Sequence, residues 1–199
     1  MQGTNVHEGL QLGQSNSDNP AQLGALVELN LFEKVGVDSE CISIKSSGNV
    51  VRLNTLLDCE AHLTNRHGKG NQIIANWLEN TFGMRLHDRG GRAVGNRLRG
   101  SRNGLQVMGG NATAAEFPDS GTHPAAEGWL LAGNDADKCL VGYAFAGHAV
   151  KARDTRLEAH VGPVDLGQQQ TGTTQGPTAS VPVPAARRLT RAEVGPGAS

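Results

Sequence analysis

The sequence predicts an α+β fold, namely a small, weakly packed core with disordered N- and C-terminal segments. Three observations lead to this prediction. Hydrophobic residues make up 37% of the chain and aromatic residues 4%, so the core that they can form is modest. The spacing of apolar residues changes along the chain between a helical period and a period of two. After residue 161 the chain is rich in Pro, Gly, Thr and Gln and has no aromatic residue.

These observations divide the chain into four parts. We expect a flexible arm over residues 1–18 and a possible small α+β domain over 19–150, with a basic Arg/Gly loop at 85–102. A linker at 151–160 then leads to a disordered tail at 161–199.

The first predicted element is a helix from residue 19 to Gly36. Asn19 can cap it, and Pro20 suits the first helical position because the missing N–H is not needed there. Apolar residues follow at helical spacing, at Leu23, Leu26, Val27 and Leu31. Val27, Leu29 and Leu31 also alternate with polar residues, so a strand remains open here.

The next elements are a hairpin and a second helix. Between Cys41 and Leu53, apolar and polar residues alternate on both sides of a Ser-Ser-Gly-Asn turn, which is typical of a hairpin. From Asn71 to Phe82 the apolar residues fall on one helical face, and Gly83 follows as a stop signal. Short apolar runs at 105–108, 129–132 and 139–150 are candidate strands.

The ends and the cysteines indicate a cellular setting. The N-terminus has neither a basic start nor an apolar run, and no stretch approaches the ~20 apolar residues of a membrane span. Three cysteines cannot form a fully paired disulfide framework, which favours a reducing compartment. We therefore expect a cytoplasmic protein by default, with no membrane partner.

A run of arginines among glycines is the strongest local bias. Residues 85–102 hold six arginines and one aspartate, a local charge of +5 against −1 for the whole chain. Guanidinium groups on a flexible backbone can neutralise phosphates and stack on bases, so the segment is a candidate for RNA or single-stranded nucleic-acid binding. The alternative is a solvated basic loop. The candidate residues are Arg85, Arg89, Arg92, Arg97, Arg99 and Arg102.

A possible metal site is the second candidate. Cys59, His62 and His67 have a spacing found among zinc ligands, and Cys41 lies upstream as a conceivable fourth. The second half of a zinc knuckle is absent, since Cys41 belongs to no Cys-x2-Cys pair. Buried thiols beside surface histidines are the alternative, and we assign no metal ligand.

No catalytic or nucleotide-binding motif is complete. Gly68-Lys69-Gly70 precedes the predicted second helix, but the first glycine and the Ser or Thr of a P-loop are missing. Cys139 and His148 have the residue types of a nucleophile and a base, without a supporting context. We assign no catalytic residue and no cofactor-binding residue, and the cofactor is unknown.

Several short segments resemble chains labelled NAD-specific glutamate dehydrogenase, over roughly residues 25–150. The segments are Leu56-Leu57-Asp58, Leu86-His87-Asp88-Arg89-Gly90-Gly91-Arg92-Ala93, Leu98-Arg99-Gly100 and Leu105-Gln106-Val107-Met108-Gly109-Gly110. The resemblance implies oxidation of glutamate with a nicotinamide cofactor, although the Rossmann glycine fingerprint is absent. The resemblance also suggests that this chain is the translation of a reading frame that overlaps another gene.

The leading interpretation is therefore a non-enzymatic soluble protein or a non-selected translation product. Binding of RNA or of a single-stranded nucleic acid through the arginines is the alternative, and glutamate dehydrogenase activity is the third.

Overall fold

The structure is a stack of coils, each built from short strands that pair with the coils before and after. The computed structural model describes residues 8–14, 22–36, 38–113, 123–146, 152, 155–158, 164–165, 174–175 and 185–194. Its strands are, in chain order, β1 (Leu10–Leu12), β2 (Leu26–Glu28), β3 (Leu31–Glu33), β4 (Glu40–Ile44), β5 (Val50–Arg52), β6 (Thr55–Leu57), β7 (His62–Asn65), β8 (Gln72–Ile74), β9 (Trp77–Glu79), β10 (Gly83–Leu86), β11 (Arg92–Val94), β12 (Arg97–Arg99), β13 (Asn103–Met108), β14 (Leu130–Ala132), β15 (Val141–Ala146), β16 (Arg156–Glu158), β17 (Val164–Asp165) and β18 (Thr174–Gln175).

These strands form three parallel sheets. The first sheet has the order β1-β4-β7-β10-β13-β15-β17, and the second has the order β18-β16-β14-β11-β8-β5-β2. The third sheet has the order β12-β9-β6-β3. Each strand therefore pairs with the equivalent strand of the next coil, which makes the molecule a parallel β-helix.

Stacks of apolar side chains fill the space between the sheets. Because side chains alternate across a strand, every second residue faces inward, and the parallel register places equivalent residues directly above one another. These side chains have no exposed surface. The stacks are Ile42, Leu63, Met84 and Leu105 in the first sheet, Val51, Ile73, Ala93 and Leu131 in the second, and Leu56, Leu78 and Leu98 in the third.

A ladder of asparagines forms the corner between the second and third sheets. Its members are Asn30, Asn54, Asn76, Asn96 and Asn134. From Asn54 onward, each side-chain oxygen accepts the backbone N–H of the asparagine one coil before, at 3.0 Å in all four steps. The preceding residue has a positive φ in each case, for example 56° at Leu53 and 65° at Gly95. The corner is thus two residues wide and repeats from coil to coil.

The α+β prediction is wrong, because both predicted helices are pairs of strands. In the described part of the first one, β2 and β3 meet at Asn30, while β8 and β9 meet at Asn76 inside the second. The cap predicted at Asn19 and Pro20 lies outside the described residues. Two short strands joined by a two-residue corner place inward apolar residues five apart, as at Ile73 and Leu78, and outward ones between them. That spacing imitates a helical face.

The predicted hairpin is also wrong. β4 and β5 belong to different sheets and pair with β7 and β8 rather than with each other. The apolar runs predicted as candidate strands contain β13, β14 and β15, which are rungs of the same stack.

The prediction of disordered ends is corrected as well. β1 lies in the predicted arm, β16 in the predicted linker, and β17 and β18 in the predicted tail. Residues 185–194 pack against the third sheet, where Leu189 is 1% exposed and its N–H donates to Thr55 Oγ1 at 2.8 Å. Arg188 and Arg191 pair with Glu79 and Glu33 on that sheet. The described part of the chain contains no helix that could cross a membrane.

Candidate functional site

Charged and polar side chains gather on the outer face of the first sheet. Lys45 directly follows β4, Arg66 follows β7 and His87 follows β10, while Met108 is the last residue of β13. Each of these residues lies 21 positions after the one before. The parallel register therefore places them side by side at the strand spacing of about 4.8 Å. A second outward row runs one pleat earlier, through Ser43, Thr64, Arg85 and Gln106. We call these two rows the polar face.

Glu40 is the buried centre of this face. Its side chain is 2% exposed, and its Oε1 accepts hydrogen bonds from Arg85 at 2.8 Å and from Arg66 at 3.3 Å. Ser43 donates to the other carboxylate oxygen. A buried carboxylate held by two guanidinium groups fixes both arginines in position. Burial lowers the pKa of Arg85, and Glu40 opposes that effect.

Lys45 is the amine of the polar face. Its side chain is 8% exposed, and Nζ donates to Glu8 Oε1 at 2.6 Å and to Gln11 Oε1 at 3.0 Å. Its backbone N–H donates to Leu12 in β1 at 2.8 Å. Three cations, Lys45, Arg66 and Arg85, thus stand against two carboxylates, so the face carries a positive excess.

A tight turn follows Arg66 and holds His67 beside it. Gly68 has a φ of 97°, and a Cβ at this position would lie 2.0 Å from Ser46 O, so only glycine fits. The buried Asp88 carboxylate accepts the N–H of Gly68 at 2.8 Å and that of Arg89 at 2.9 Å. Asp88 thereby ties the corner of one coil to the corner of the next.

The corner between β13 and β14 is longer than its counterparts and covers one end of the polar face. In its described residues, Ala125 N–H donates to Ala112 O, and Pro124 O lies 3.1 Å from His87 Nδ1. This path places the His123 ring 5.8 Å from the His87 ring and 6.4 Å from the His67 ring, between centroids.

His67 and His87 are neutral imidazoles at ordinary pH. Burial and nearby cations lower the pKa of each to about 3. They therefore act as hydrogen-bonding groups beside the arginines, and they add no positive charge above that pH.

Trp129 closes the base of the same corner. It is 1% exposed, and its Nε1 donates to Asp88 O at 3.0 Å. A Cβ on Gly91 would lie 2.3 Å from the indole, so the glycine makes room for the ring.

The structure separates the six arginines that the sequence grouped as one basic loop. Segment 85–102 crosses all three sheets, and only Arg85 lies on the polar face. Arg99 pairs with Asp135 at 2.6 Å on the third sheet, and Arg97 lies 3.9 Å from the same carboxylate. Arg92 begins β11, and Arg89 and Arg102 lie at corners. These residues therefore do not form the flexible, continuous strip that nucleic-acid binding was expected to use.

The four residues considered for zinc are not gathered at one point. Cys41 and Cys59 are buried with their Sγ atoms 4.0 Å apart. His62 instead packs edge-on against Phe82 at 5.4 Å, and His67 lies beside His123. Within the described residues, no three His, Cys, Asp or Glu side chains are grouped to hold a metal ion. Cys139 is half-buried, whereas its suggested partner His148 lies outside the described residues.

Sequence reasoning found Arg85 but missed Lys45, Arg66, Glu40 and Asp88. The signal that could have revealed them is the internal repeat, because Asn54, Asn76 and Asn96 recur every 20 to 22 residues. Aligning the chain on these asparagines places Lys45 and His87 in one column, nine residues before Asn54 and Asn96, and Arg66 one position beside that column.

Comparisons with known proteins agree with this architecture. A family model described as chondroitinase B matches residues 1–115. A mannuronic acid specific polysaccharide family 6 lyase from human gut microbiota has a TM-score of 0.69 at 20% identity, covering 82% of this chain and 41% of that one. No match was found among curated proteins.

Two further solved structures give the same result. A PL6 alginate lyase in complex with a trisaccharide has a TM-score of 0.67 at 19% identity, covering 94% of this chain and 46% of that one. A PL6 family polysaccharide lyase from Pseudopedobacter saltans has a TM-score of 0.69 at 18% identity, covering 96% and 59%. The chain thus spans about half the length of these structures, and identities this low establish the shared fold alone.

These findings overturn the functional interpretations drawn from the sequence. The family match lies with a lyase and not with NAD-specific glutamate dehydrogenase. A family match joined to a repeated fold also contradicts a non-enzymatic protein and a non-selected translation product. These relatives are polysaccharide lyases, which contradicts the prediction of RNA or single-stranded nucleic acid as the partner.

Proposed function

The chain belongs to the chondroitinase B family, since that family's model matches residues 1–115, and from this premise we propose that it cleaves a uronate-containing polysaccharide by β-elimination. Alginate is the first polymer to consider, because the alginate lyase and the mannuronic acid specific lyase compared above share this fold.

The observation that carries the proposal is the pair of arginines around Glu40, next to a buried lysine. Arg66, Arg85 and Lys45 outnumber the two carboxylates that they contact, so the polar face has an unbalanced positive charge. Arg66 Nε is buried and has no hydrogen-bond partner among the described residues. A buried donor without an acceptor is costly, which favours an anionic ligand at this point.

Elimination at a uronate makes specific demands on a protein. A base removes the proton from the carbon next to the carboxylate, and the bond to the neighbouring glycosidic oxygen then breaks. The electron pair of that bond stays on the leaving oxygen, which takes up a proton, and a carbon–carbon double bond remains in the sugar. Negative charge builds on the carboxylate during proton removal, so fixed positive groups near it lower the barrier.

The arginines are suited to the carboxylate. A guanidinium group presents its donors in a planar fork that matches a carboxylate, and Glu40 holds Arg85 and Arg66 in place before substrate arrives. Because this arrangement is already formed, little reorganisation is needed when charge develops.

Lys45 is suited to proton transfer. The Lys45 ammonium can donate a proton to the leaving glycosidic oxygen, and the amine that remains can accept the next proton from the sugar. Glu8 and Gln11 orient Nζ. The pairing of Ile44 with Asn65 places the residues that follow them, Lys45 and Arg66, on neighbouring coils.

The test is the appearance of unsaturated uronate, followed by its ultraviolet absorbance, with alginate, polymannuronate and chondroitin sulfate as substrates. We expect turnover of at least one of them. Lys45→Ala and Arg66→Ala should each reduce kcat by roughly 100-fold or more, the range found when a proton-transfer or charge-stabilising group is removed.

Arg92→Ala is the matched control, because Arg92 is exposed on the second sheet, away from the polar face. It should retain turnover. Absence of an unsaturated product from all three polymers, with folded protein, would contradict the proposed function.

A further inference from the structure

We propose a second anion-binding subsite for the same polysaccharide, in the cavity at the corner between the third and first sheets, with Arg102 and Lys138 as its cationic residues. This inference rests on the proposed function. It adds a site that binds a second carboxylate of the polymer, one or more sugar units away from the uronate that reacts.

The cavity is formed by the corners of successive coils. It has a volume of about 380 Å³, and the residues that matter here are Glu60, Thr81, Phe82, Ser101, Arg102 and Lys138. Because each coil contributes an equivalent corner, the cavity is an open groove along the stack rather than an accidental gap under one loop.

Its two cations have no partner within the described residues. Arg66, Arg85 and Arg99 each contact a carboxylate, whereas Arg102 and Lys138 form no ion pair or side-chain hydrogen bond there. Both are exposed. Asp137, next to Lys138 in sequence, contacts Arg99 at 3.4 Å instead. The groove carries one carboxylate, that of Glu60, so its charge is also positive.

The walls of the groove suit a sugar ring. Phe82 offers an apolar ring that His62 fixes by an edge-on contact, with centroids 5.4 Å apart. The hydroxyls of Thr81 and Ser101 lie 3.0 Å from each other and form a polar edge beside it. An apolar face next to hydroxyl groups and cations matches the surface of an acidic sugar.

The groove and the polar face both border His62, which contacts Phe82 and pairs with Glu40. His62 in β7 pairs in register with Glu40 and with Gly83, and it lies between the two regions. Burial lowers the pKa of His62 to about 4, and the charges of Arg85 and Arg102 act in the same direction.

The separation along the sheet fits a polymer. Arg102 precedes Gln106, the register partner of Arg85, by four residues. At about 3.3 Å per residue, the two positions lie roughly 13 Å apart along the strand direction, a distance that a short oligosaccharide can span.

The test compares two double variants that remove charge and keep a polar side chain. Arg102→Gln with Lys138→Gln removes the proposed subsite. Arg92→Gln with Lys34→Gln is the control, because Arg92 and Lys34 are exposed elsewhere. Lys34 has a φ of 56° and Lys138 a φ of 57°, so the backbone strain is matched.

The first measurement is the dissociation constant for polymannuronate at low ionic strength. We expect the subsite variant to bind about tenfold more weakly than the control, which corresponds to the loss of roughly 1.4 kcal/mol. The second is the KM for long and for short substrates. KM should rise for the polymer, while kcat for the shortest cleavable oligosaccharide stays unchanged.

Equal affinities and equal KM values for the two double variants would overturn the subsite. The proposed function has a separate outcome, because it fails only if the wild-type chain produces no unsaturated uronate. Weaker binding by the subsite variant, measured directly, supports the subsite whether or not turnover is observed.

Discussion

Asp88 shows how one side chain connects two corners of the stack. It has no exposed surface, has a φ of 61°, and accepts the N–H groups of Gly68 and Arg89, while its own carbonyl accepts from Trp129. Burial raises the pKa of its carboxyl, and the two N–H donors oppose that shift. The turn that carries Arg66 and His67 therefore depends on an acceptor at this position.

Asp88→Asn should lower the free energy of unfolding by about 1–3 kcal/mol, because the new NH2 group faces a backbone N–H and leaves that buried donor without an acceptor. Urea denaturation measures the change. Asp58→Asn is the control, since Asp58 is exposed, has a φ of 52° and accepts one hydrogen bond, from Asn80. A loss at position 58 as large as that at position 88 would contradict this account.

Individual residues of the site were only partly predictable. Arg85 stands out within a basic run, whereas Lys45 and Arg66 are ordinary cations until their strands are aligned. Their meaning depends on register across coils, which is a property of pairing and not of local composition.

At the scale of elements, the asparagine ladder is the feature on which the corners depend. Asn76 illustrates it: its Nδ2 donates to Val51 O at 2.9 Å and to Asn96 Oδ1 at 3.0 Å. Its Oδ1 accepts the backbone N–H and the Nδ2 of Asn54, each at 3.0 Å. These hydrogen bonds satisfy backbone groups that the turn removes from the sheets.

Asn76→Ala should lower the free energy of unfolding by about 4 kcal/mol, because it leaves two buried backbone groups without partners at roughly 1–3 kcal/mol each. Asn30→Ala should cost about 1 kcal/mol, since Asn30 is exposed at the end of the ladder and water can replace its hydrogen bonds. Chemical denaturation of both variants checks the difference. Equal losses would show that position in the ladder has no effect.

The elements also explain why local patterns misled. Around Asn76, Ile73, Ile74, Trp77 and Leu78 have the spacing of a helical face, yet Ile73 and Leu78 face the core from two different sheets. Strands of three residues are too short to display a period of two. The repeat of about 21 residues carries the information about fold, and it becomes visible only when the chain is compared with itself.

At the scale of the whole molecule, the buried histidines make stability depend on pH. Folding lowers the pKa of His87, which is 4% exposed, from 6.5 to about 3, mainly through burial. Between these two values the unfolded chain binds a proton that the folded chain does not. Stability is therefore complete above pH 6.5 and is lost as the pH falls toward 3.

We expect the free energy of unfolding to fall between pH 7 and pH 5, with His87 contributing roughly 1 kcal/mol per pH unit once the unfolded state is protonated. His62 and His67 act in the same direction. Urea denaturation at a series of pH values measures the slope of the free energy of unfolding against pH. His87→Gln should reduce that slope by the amount that corresponds to the binding of nearly one proton. A slope that His87→Gln leaves unchanged would contradict this assignment.

Lengthening of the chain has very different consequences at different places in the stack. Only residues 87–91 separate β10 from β11, whereas residues 109–129 separate β13 from β14, and the rungs remain in register on both sides. One extra residue inside a strand would instead turn an outward side chain into the core. Evolution can therefore lengthen and diversify the corners, where they overhang the polar face, while the rows that hold Lys45, Arg66 and Arg85 stay fixed. Substrate preference and the chemistry of cleavage can in this way change independently of each other.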